Sequence, residues 1–238
     1  MKKGGPAGVL VSFEREIERF TALLHGVRRM RLQGEKLISG SLCEREVRVL
    51  CMGLSRSVGP GKSPGPPELL LKDFGILIST GICGGLSRSL RCGDVVVAEK
   101  VFFFGRRDTR GQKEGPGPMD IPESGIVYGL LSRALSSKPY QIVRGTGVTV
   151  EKPLLHSEEK KKVEQRTGSI SVDMEDFHRL AIARKLGIPF VSIRAVYDEA
   201  KEDVPEISER LDRGRIDLSA GSIADALRAV MCEDPNFT

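Results

Sequence analysis

Short apolar runs alternate along the chain with longer stretches in which apolar and polar residues are mixed. Several runs, such as 141–150 and 190–198, are nearly continuous in β-branched residues, which is typical of strands covered on both faces. The runs predict strands over residues 7–13, 47–53, 75–80, 94–101, 141–150, 170–174 and 190–198.

The mixed stretches between these runs predict helices over 14–24, 175–186 and 221–231. Apolar residues recur at helical spacing in the last of them, and Gly187 after the second suits the left-handed turn that often ends a helix. Because predicted strands alternate with predicted helices, we expect an α/β fold of three layers. In this fold, helices flank a mostly parallel, mixed sheet.

Two segments, 57–67 and 106–122, are rich in Gly, Pro and charged residues and predict surface loops. The first contains Gly61-Lys62-Ser63, but Arg56 replaces the earlier glycine of a phosphate-binding loop and prolines follow the lysine. We see no repeat and no linker that divides the chain. Residues 1–238 are therefore expected to form one domain.

The composition narrows the class of protein. With 39% hydrophobic and 29% charged residues, the chain is of the globular type. No apolar run approaches the ~20 residues of a membrane span, and the first residues lack the apolar stretch of a signal peptide, so we expect a cytoplasmic protein. The net charge of +5 is mild, which indicates a solvated surface more than a nucleic-acid partner.

The five cysteines are odd in number and show no Cys-x-x-Cys spacing, which argues against a disulfide framework and a zinc site. Cys51 and Cys83 lie in apolar runs, where a thiol behaves as a small core side chain. The three histidines have no partner at ligand spacing. We therefore expect neither a metal nor an organic cofactor.

The fold class predicts where a ligand binds. In open α/β sheets the site lies beyond the carboxyl ends of the strands. Among the residues that follow the predicted strands, three glycines stand within five positions, Gly81, Gly84 and Gly85. Their amides, with the hydroxyls of Ser79 and Thr80, suit an anion or ribose oxygens. A tight connection from strand to helix would explain the same pattern.

Two carboxylates stand at other predicted strand ends. Glu175 is placed to accept hydrogen bonds from a pair of sugar hydroxyls. Asp198 ends the strand 190–198, where partial burial would raise the pKa of a carboxyl and suit it to donate a proton. Each has a structural alternative, because an acidic residue also stabilises the start of the next helix.

In their order and spacing, these segments resemble the nucleoside phosphorylase/nucleosidase superfamily, which includes purine nucleoside phosphorylases and methylthioadenosine/S-adenosylhomocysteine nucleosidases. Residues 78–97 resemble its STGxxGGL…GDxV stretch, 172–175 its V(D/E)ME signature and 187–198 its GIPFxxxRxxSD segment. The resemblance covers residues 8–200. Within the superfamily, 151–198 is most similar to phosphorylases associated with hopanoid biosynthesis, which implies a 5′-substituted adenosine as substrate.

The resemblance implies that the chain cleaves the N-ribosidic bond of a purine nucleoside with phosphate or water, and that it forms a homo-oligomer. Asp198 is then expected to protonate or hydrogen-bond the leaving purine, and Glu175 to bind the ribose with Met174 packed on the sugar. Glu16 is expected to activate water, with Glu14 as its competitor. Further substrate contacts are expected from Ser79, Thr80, Gly81, Arg194 and Tyr197, and a weak phosphate site from Gly53 and Arg56.

The chain departs from the family pattern at several positions. Ser79 stands where many family phosphorylases carry a phosphate-binding arginine, which favours water as the attacking group or a different phosphate clamp. Tyr197 replaces the serine before the catalytic aspartate, and no purine-covering aromatic residue is evident around 150–152.

Two alternative functions stay open. One is a relative that binds nucleosides without cleaving them. The other is a basic protein that binds nucleic acid through 160–162 and through Arg106, Arg107 and Arg110.

Overall fold

Ten strands of one sheet and the helices that flank it make up the part of the chain that our computed structural model describes, residues 5–32, 35–52, 71–105, 117–204 and 212–233. The strands are β1 (Ala7–Val11), β2 (His25–Leu32), β3 (Glu35–Leu42), β4 (Arg45–Cys51), β5 (Ile76–Gly85), β6 (Val95–Phe104), β7 (Met119–Asp120), β8 (Ile142–Val150), β9 (Ser171–Asp173) and β10 (Phe190–Asp198). The helices in these ranges are α1 (Glu14–Thr21), α2 (Ser124–Ala134), α3 (Ser157–Thr167), α4 (Asp176–Leu186) and α5 (Arg213–Glu233).

Every predicted strand is present, as β1, β4, β5, β6, β8, β9 and β10, and the predicted helices correspond to α1, α4 and α5. The largest difference is in β5, which was expected to end at Thr80. It continues through the glycines to Gly85, because their backbones keep pairing with β10 and, at the end, with β9. The glycine segment is therefore part of the sheet and not a turn after it.

The strands run in the order β10-β6-β8-β9-β5-β1-β4-β3-β2, and β10 also pairs with β5. Strands β5, β10, β6, β8 and β9 thus form a closed ring of pairings, from which the others extend as an open sheet. Strands β1, β4, β5 and β10 pair in parallel, as do β6, β8 and β9. These two sets meet antiparallel at β10–β6 and β5–β9. The predicted mixed sheet with flanking helices is confirmed, with its parallel strands in two opposed sets.

Strands β2 and β3 form an antiparallel hairpin that the sequence analysis did not predict. The sequence of β2, HGVRRMRL, has no continuous apolar run, and its described side chains are mostly exposed. An edge strand with charged side chains carries little of the hydrophobic signal on which strand prediction depends.

Alternate residues of the central strands supply two cores on opposite faces of the sheet. In β1, Val9 and Val11 pack in the core that also contains apolar side chains of α1, α2 and α5. The intervening Leu10 packs in the other core, together with side chains of α4. Both sheet faces are therefore covered, which explains the near-continuous apolar runs in the sequence and gives the three layers that were expected.

A disulfide joins Cys43, in the turn between β3 and β4, to Cys232 near the end of α5. The sequence analysis expected no disulfide, and this expectation was wrong. The two residues are 189 positions apart, with Cα atoms 5.4 Å apart. A single long-range pair leaves no spacing signal, because only the packing of α5 against the sheet brings the thiols together. Cys51 and Cys83 are free and buried, as predicted.

The two predicted loops lie largely outside the described residues. Segment 57–67 and the first part of 106–122 fall there, and the described end of the second contains β7, paired with β6. Within the described ranges, no helix combines the length and the apolar character that a membrane crossing requires.

Candidate active site

A single cavity collects most of the site residues that the sequence predicted. It lies at the carboxyl ends of β1, β8, β9 and β10, beside the last residues of β5 and the first turn of α1. The predicted residues in its lining are Glu16, Met174, Glu175, Arg194, Tyr197 and Asp198. Glu175 and Asp198 therefore share one cavity, at the position where an α/β sheet binds ligands.

Glu16 reaches the cavity from the first turn of α1. Its Oε2 accepts a hydrogen bond from the backbone N–H of Phe13 at 2.9 Å, which caps the helix, and its Oε1 accepts one from Ile82 of β5 at 3.1 Å. Burial raises the pKa of Glu16, although these two backbone hydrogen bonds oppose the rise. Glu14, its competitor, points elsewhere and pairs with Lys36.

Gly81 allows the Glu16 carboxylate to approach β5. The glycine has a φ of +136°, and a Cβ there would lie 3.2 Å from Glu16 Oε1 and 3.4 Å from Arg194 Nη1. Because the next amide, that of Ile82, donates to Glu16, this part of the glycine segment binds an internal carboxylate. The segment was expected to offer its amides to an anion or to ribose oxygens, and the Ile82 amide is instead occupied by Glu16.

Ser79 and Thr80 are fully buried behind the cavity and are not part of its lining. The Ser79 hydroxyl donates to Asp176 at 2.5 Å, and the Thr80 hydroxyl donates to the carbonyl of Ile193 at 2.7 Å. Both hydroxyls thus stabilise the protein interior. This corrects the prediction that they contact the substrate. A residue pattern along one strand cannot distinguish a hydroxyl that lines a cavity from one that is buried behind it.

The acidic run at the start of α4 contains three carboxylates with different surroundings. Asp173 Oδ1 accepts the backbone N–H groups of Glu175 and Asp176 at 2.7 and 2.8 Å, so it caps the helix. Asp176 is buried against the guanidinium of Arg194, at 2.5 and 3.2 Å, and receives the Ser192 hydroxyl. Burial favours a higher pKa for Asp176, but Arg194 and the hydroxyls hold it below its usual range. Asp173 therefore caps the helix, whereas Asp176 holds Arg194 in place.

Glu175 lines the cavity, as Asp173 does, but the Asp173 carboxylate is occupied by backbone N–H groups. Its Oε2 lies 3.1 Å from Nη1 of Arg194, whose Nη1 also donates to the carbonyl of Ile82 at 3.3 Å. Arg194 is in turn anchored by Asp176, which fixes its guanidinium beneath the cavity. Glu175 is thereby oriented by one contact with a buried arginine whose bidentate partner is Asp176.

Asp198 is turned toward the cavity by an irregularity in β10. Val196 pairs with Cys83 and Asp198 with Gly84, so Tyr197 is an extra residue opposite the β5 ladder. Such a bulge changes the direction in which the following side chain points. A Cβ at Gly84 would lie 3.2 Å from Asp198 Oδ2, so the glycine leaves room for the carboxyl group.

The pKa of Asp198 is raised by burial, while a hydrogen bond and the charge of Lys160 act in the opposite direction. The sequence analysis placed 160–162 in a basic cluster that could bind nucleic acid. Lys160 is instead fully buried and its ammonium group contacts the carboxyl group of Asp198, whereas Lys161 and Lys162 are exposed. The sequence contained one indication that Lys160 is buried. Val163 is apolar and lies one turn later on the same inward face of α3.

Tyr197 and several apolar residues complete the cavity wall. The Tyr197 hydroxyl accepts a hydrogen bond from the backbone N–H of Asp212 at 2.8 Å, which holds the ring in place. The apolar wall consists of Phe13, Ile82, Val150, Pro153, Leu154, Leu155 and Val204. No residue at 150–152 is aromatic, so aliphatic side chains form the wall at that position.

Two predicted groups of residues lie outside the described part of the chain. Gly53 and Arg56, the predicted phosphate site, lie outside the described residues, as do the basic residues of 106–110. Among the residues that the structure does describe, no set of three or more His, Cys, Asp or Glu side chains is arranged to hold a metal ion.

The fold and the cavity are those of an α/β protein with a ligand-sized cavity at the carboxyl ends of its strands. A family description, that of the phosphorylase superfamily, matches residues 6–230. The chain belongs to this superfamily.

Individual relatives share the fold over almost the whole chain. A 5′-methylthioadenosine/S-adenosylhomocysteine nucleosidase from Staphylococcus aureus (strain bovine RF122 / ET3-1) is 25% identical over 232 residues, which cover 92% of this chain and 97% of that protein. A nucleosidase of the same name from Colwellia psychrerythraea 34H, solved in complex with adenine, superposes with a TM-score of 0.77 at 20% identity and covers 97% of this chain and 96% of its own. A futalosine hydrolase mutant of Helicobacter pylori strain 26695 gives 0.76 at 18% identity, with 97% and 100% covered.

Proposed function

We propose that the protein hydrolyses the N-ribosidic bond of a purine nucleoside of the adenosine type, with a substituent at the 5′ position, and releases the free base. The observation that carries the proposal is that Glu16, Glu175 and Asp198 line one cavity at the carboxyl ends of the strands. The names of the relatives, nucleosidases for methylthioadenosine and S-adenosylhomocysteine, support the same substrate class.

The three carboxyl groups divide the reaction between them. Asp198 transfers its proton to N7 of the purine, so that the electron pair of the breaking C1′–N9 bond is accepted by a neutral leaving group. Glu175 binds the ribose hydroxyls, and its charge stabilises the cationic sugar in the transition state. Glu16 removes a proton from the water whose oxygen forms the new bond to C1′. The products are the free base and the free sugar.

Water is favoured over phosphate by the surroundings of Glu16. A phosphate nucleophile needs donors that no other anion occupies, and the Ile82 amide already donates to the Glu16 carboxylate. A second anion beside Glu16 and Glu175 would be repelled by both carboxylates. Phosphorolysis, which the resemblance to the hopanoid-associated branch implies, is therefore less favoured than hydrolysis.

The apolar cavity wall supports a substituted 5′ position. Aliphatic and aromatic side chains around the carboxylates, among them Phe13, Leu154 and Val204, offer no partner for a charged group but suit a thioether or another apolar substituent.

The alternative function, nucleoside binding without cleavage, rests on Tyr197, which lines the cavity where the family has serine.

One assay tests this proposal. Base release is measured with and without phosphate from adenosine, inosine, methylthioadenosine and an adenosine with a bulky 5′ substituent. We expect adenine from the 5′-substituted adenosines at a rate that phosphate does not change, with no ribose 1-phosphate formed. Phosphate-dependent release would show a phosphorylase, and tight binding without release over hours would show a nucleoside-binding protein.

We also propose that the chain acts as one domain in a cytoplasmic homo-oligomer. The continuity of the sheet from β1 to β10 supports the single domain. The resemblance to the superfamily, from which a homo-oligomer was expected, supports association with further copies. Size-exclusion chromatography with light scattering tests the assembly, and a monomer at micromolar concentration would contradict it.

A further inference from the structure

Helix α3 carries three consecutive lysines of which one is buried. Lys161 and Lys162 are exposed, but Lys160 is fully buried and points toward the end of β10. A buried ammonium group is costly unless it is paired and hydrogen-bonded. Its surroundings therefore indicate what it does in the protein.

All the hydrogen-bonding capacity of the Lys160 ammonium group is used within the protein. The group has three N–H donors. One contacts Oδ2 of Asp198, and the others donate to the backbone carbonyls of Glu199 at 2.9 Å and Glu202 at 2.8 Å. Lys160 thus binds the carboxyl group that faces the cavity and fixes the segment that follows it. It keeps no donor for a ligand.

The other charged groups near Asp198 are engaged with one another. From α5, Arg215 binds the carboxylate of Glu202 at 2.6 and 3.0 Å. The Glu199 side chain lies 3.5 Å from Arg91, and on the β5 side Asp198 faces the uncharged Cys83 and Gly84. Lys160 is the cation in direct contact with the Asp198 carboxyl group in the described part of the chain.

We propose that Lys160 is a positioning residue: it orients the Asp198 carboxyl group and stabilises the carboxylate left behind when Asp198 has given its proton to the leaving purine. This proposal rests on the proposed function. Before the transfer, Asp198 is a neutral acid beside an ammonium group, and after it the two form an ion pair. The attraction is therefore strongest as the C1′–N9 bond breaks, which is the condition under which an interaction accelerates a reaction.

The proposal has a pH signature with a definite sign. An adjacent cation favours the ionised carboxyl, so removing the Lys160 charge raises the pKa of Asp198. The protonated form then persists to higher pH, and the alkaline limb of the kcat/KM profile moves upward by about one pH unit or more. On the plateau below that limb, kcat falls by about 10-fold or more with little change in KM, because Asp198 has become a weaker and less well oriented acid.

The experiment compares Lys160→Met with Lys162→Met, the same substitution at an exposed lysine of the same helix. We expect the shifted limb and reduced plateau in the first variant and the wild-type profile in the second. A lower plateau with an unmoved alkaline limb would show that Lys160 is merely structural and would overturn the proposal. Circular dichroism and thermal unfolding establish that both variants are folded.

A second measurement decides the matter where Lys160→Met does not fold or where the wild-type protein releases no base. The ¹⁵N resonance of the Lys160 ammonium group is followed against pH in the wild type and in Asp198→Asn. We expect a titration step in the wild type that is lost in the variant. Identical curves would overturn the coupling of the two residues. Absence of base release together with a step that Asp198→Asn removes would instead contradict only the proposed function.

Discussion

The carboxyl groups of the cavity show how residues close in sequence differ in role. Glu14 and Glu16 are both acidic residues in the first turn of α1, but residues two apart face different sides of a helix. Glu16 is directed to β5 and Glu14 to Lys36. Similarly, Asp173, Glu175 and Asp176 form one acidic run, but Asp173 and Glu175 line the cavity whereas Asp176 is buried against Arg194.

Replacing the proposed proton donor tests its role directly. Asp198→Asn is expected to lower kcat for adenine release by about 10²- to 10⁴-fold with little change in KM, because an amide of the same size cannot supply the proton. The measurement is steady-state release of the base. Asp217→Asn, at an exposed position of α5, is the matched control and keeps the wild-type rate. Unchanged turnover in the Asp198 variant would remove this residue from the mechanism.

Glu16 is expected to produce the acid limb of the activity profile. It acts as the ionised base, so kcat/KM falls as the pH drops through its pKa, which burial raises above the usual range. Glu16→Gln lowers kcat by about 10²- to 10⁴-fold and removes this limb from the residual activity. Glu18→Gln, on the exposed side of α1, changes neither. A variant that loses little activity and keeps the acid limb would assign the base to another group.

At the scale of elements, the site depends on two irregular strands. Strand β5 carries Gly81 and Gly84, where the backbone must leave room for the carboxyl groups of Glu16 and Asp198. Strand β10 contains the bulge at Tyr197 that directs Asp198 into the cavity. A regular strand at either position would place a side chain or a peptide group where a carboxyl group now lies.

The glycine of β5 is expected to be indispensable. Gly81→Ala strains the backbone at a φ of +136° and pushes against Glu16, so we expect a loss of about 1–3 kcal/mol in the free energy of unfolding together with a lower kcat. Denaturant unfolding and base release measure the two effects. Gly129→Ala, inside α2 with its nearest neighbour at 3.7 Å, is the control and leaves stability unchanged or higher. Wild-type activity in Gly81→Ala would show that Glu16 does not depend on this approach.

At the scale of the whole molecule, a closed ring of strands and one disulfide connect distant parts of the chain. The ring brings β5, β9 and β10 together, and these three carry much of the cavity lining. The disulfide joins the turn between β3 and β4 to α5, and neither of its cysteines lines the cavity. Stability and activity are therefore expected to respond differently to its loss.

Loss of the disulfide is expected to affect stability alone. In Cys43→Ser/Cys232→Ser the free energy of unfolding falls by about 2–5 kcal/mol, because a constraint on the unfolded chain is removed, while kcat stays at the wild-type value. Alkylation of the unfolded, unreduced protein followed by mass spectrometry is expected to label Cys51, Cys83 and Cys92 only. Reductant lowers the stability of the wild type but not of the double variant. Equal stability of the two proteins without reductant would contradict the disulfide.

The sequence by itself determined the fold class, seven of the strands and the segments that form the cavity, because covered strands must be apolar and because α/β sheets bind ligands at their carboxyl ends. It did not indicate the hairpin of β2 and β3, whose exposed edge carries charge, nor the disulfide. Tertiary structure alone decided that Ser79 and Thr80 point away from the cavity, that Glu16 and not Glu14 enters it, and that Lys160 is buried against Asp198. The reason is that a pattern of residue types records which side of an element is buried, whereas the partner that each buried polar group meets depends on elements far away in the chain.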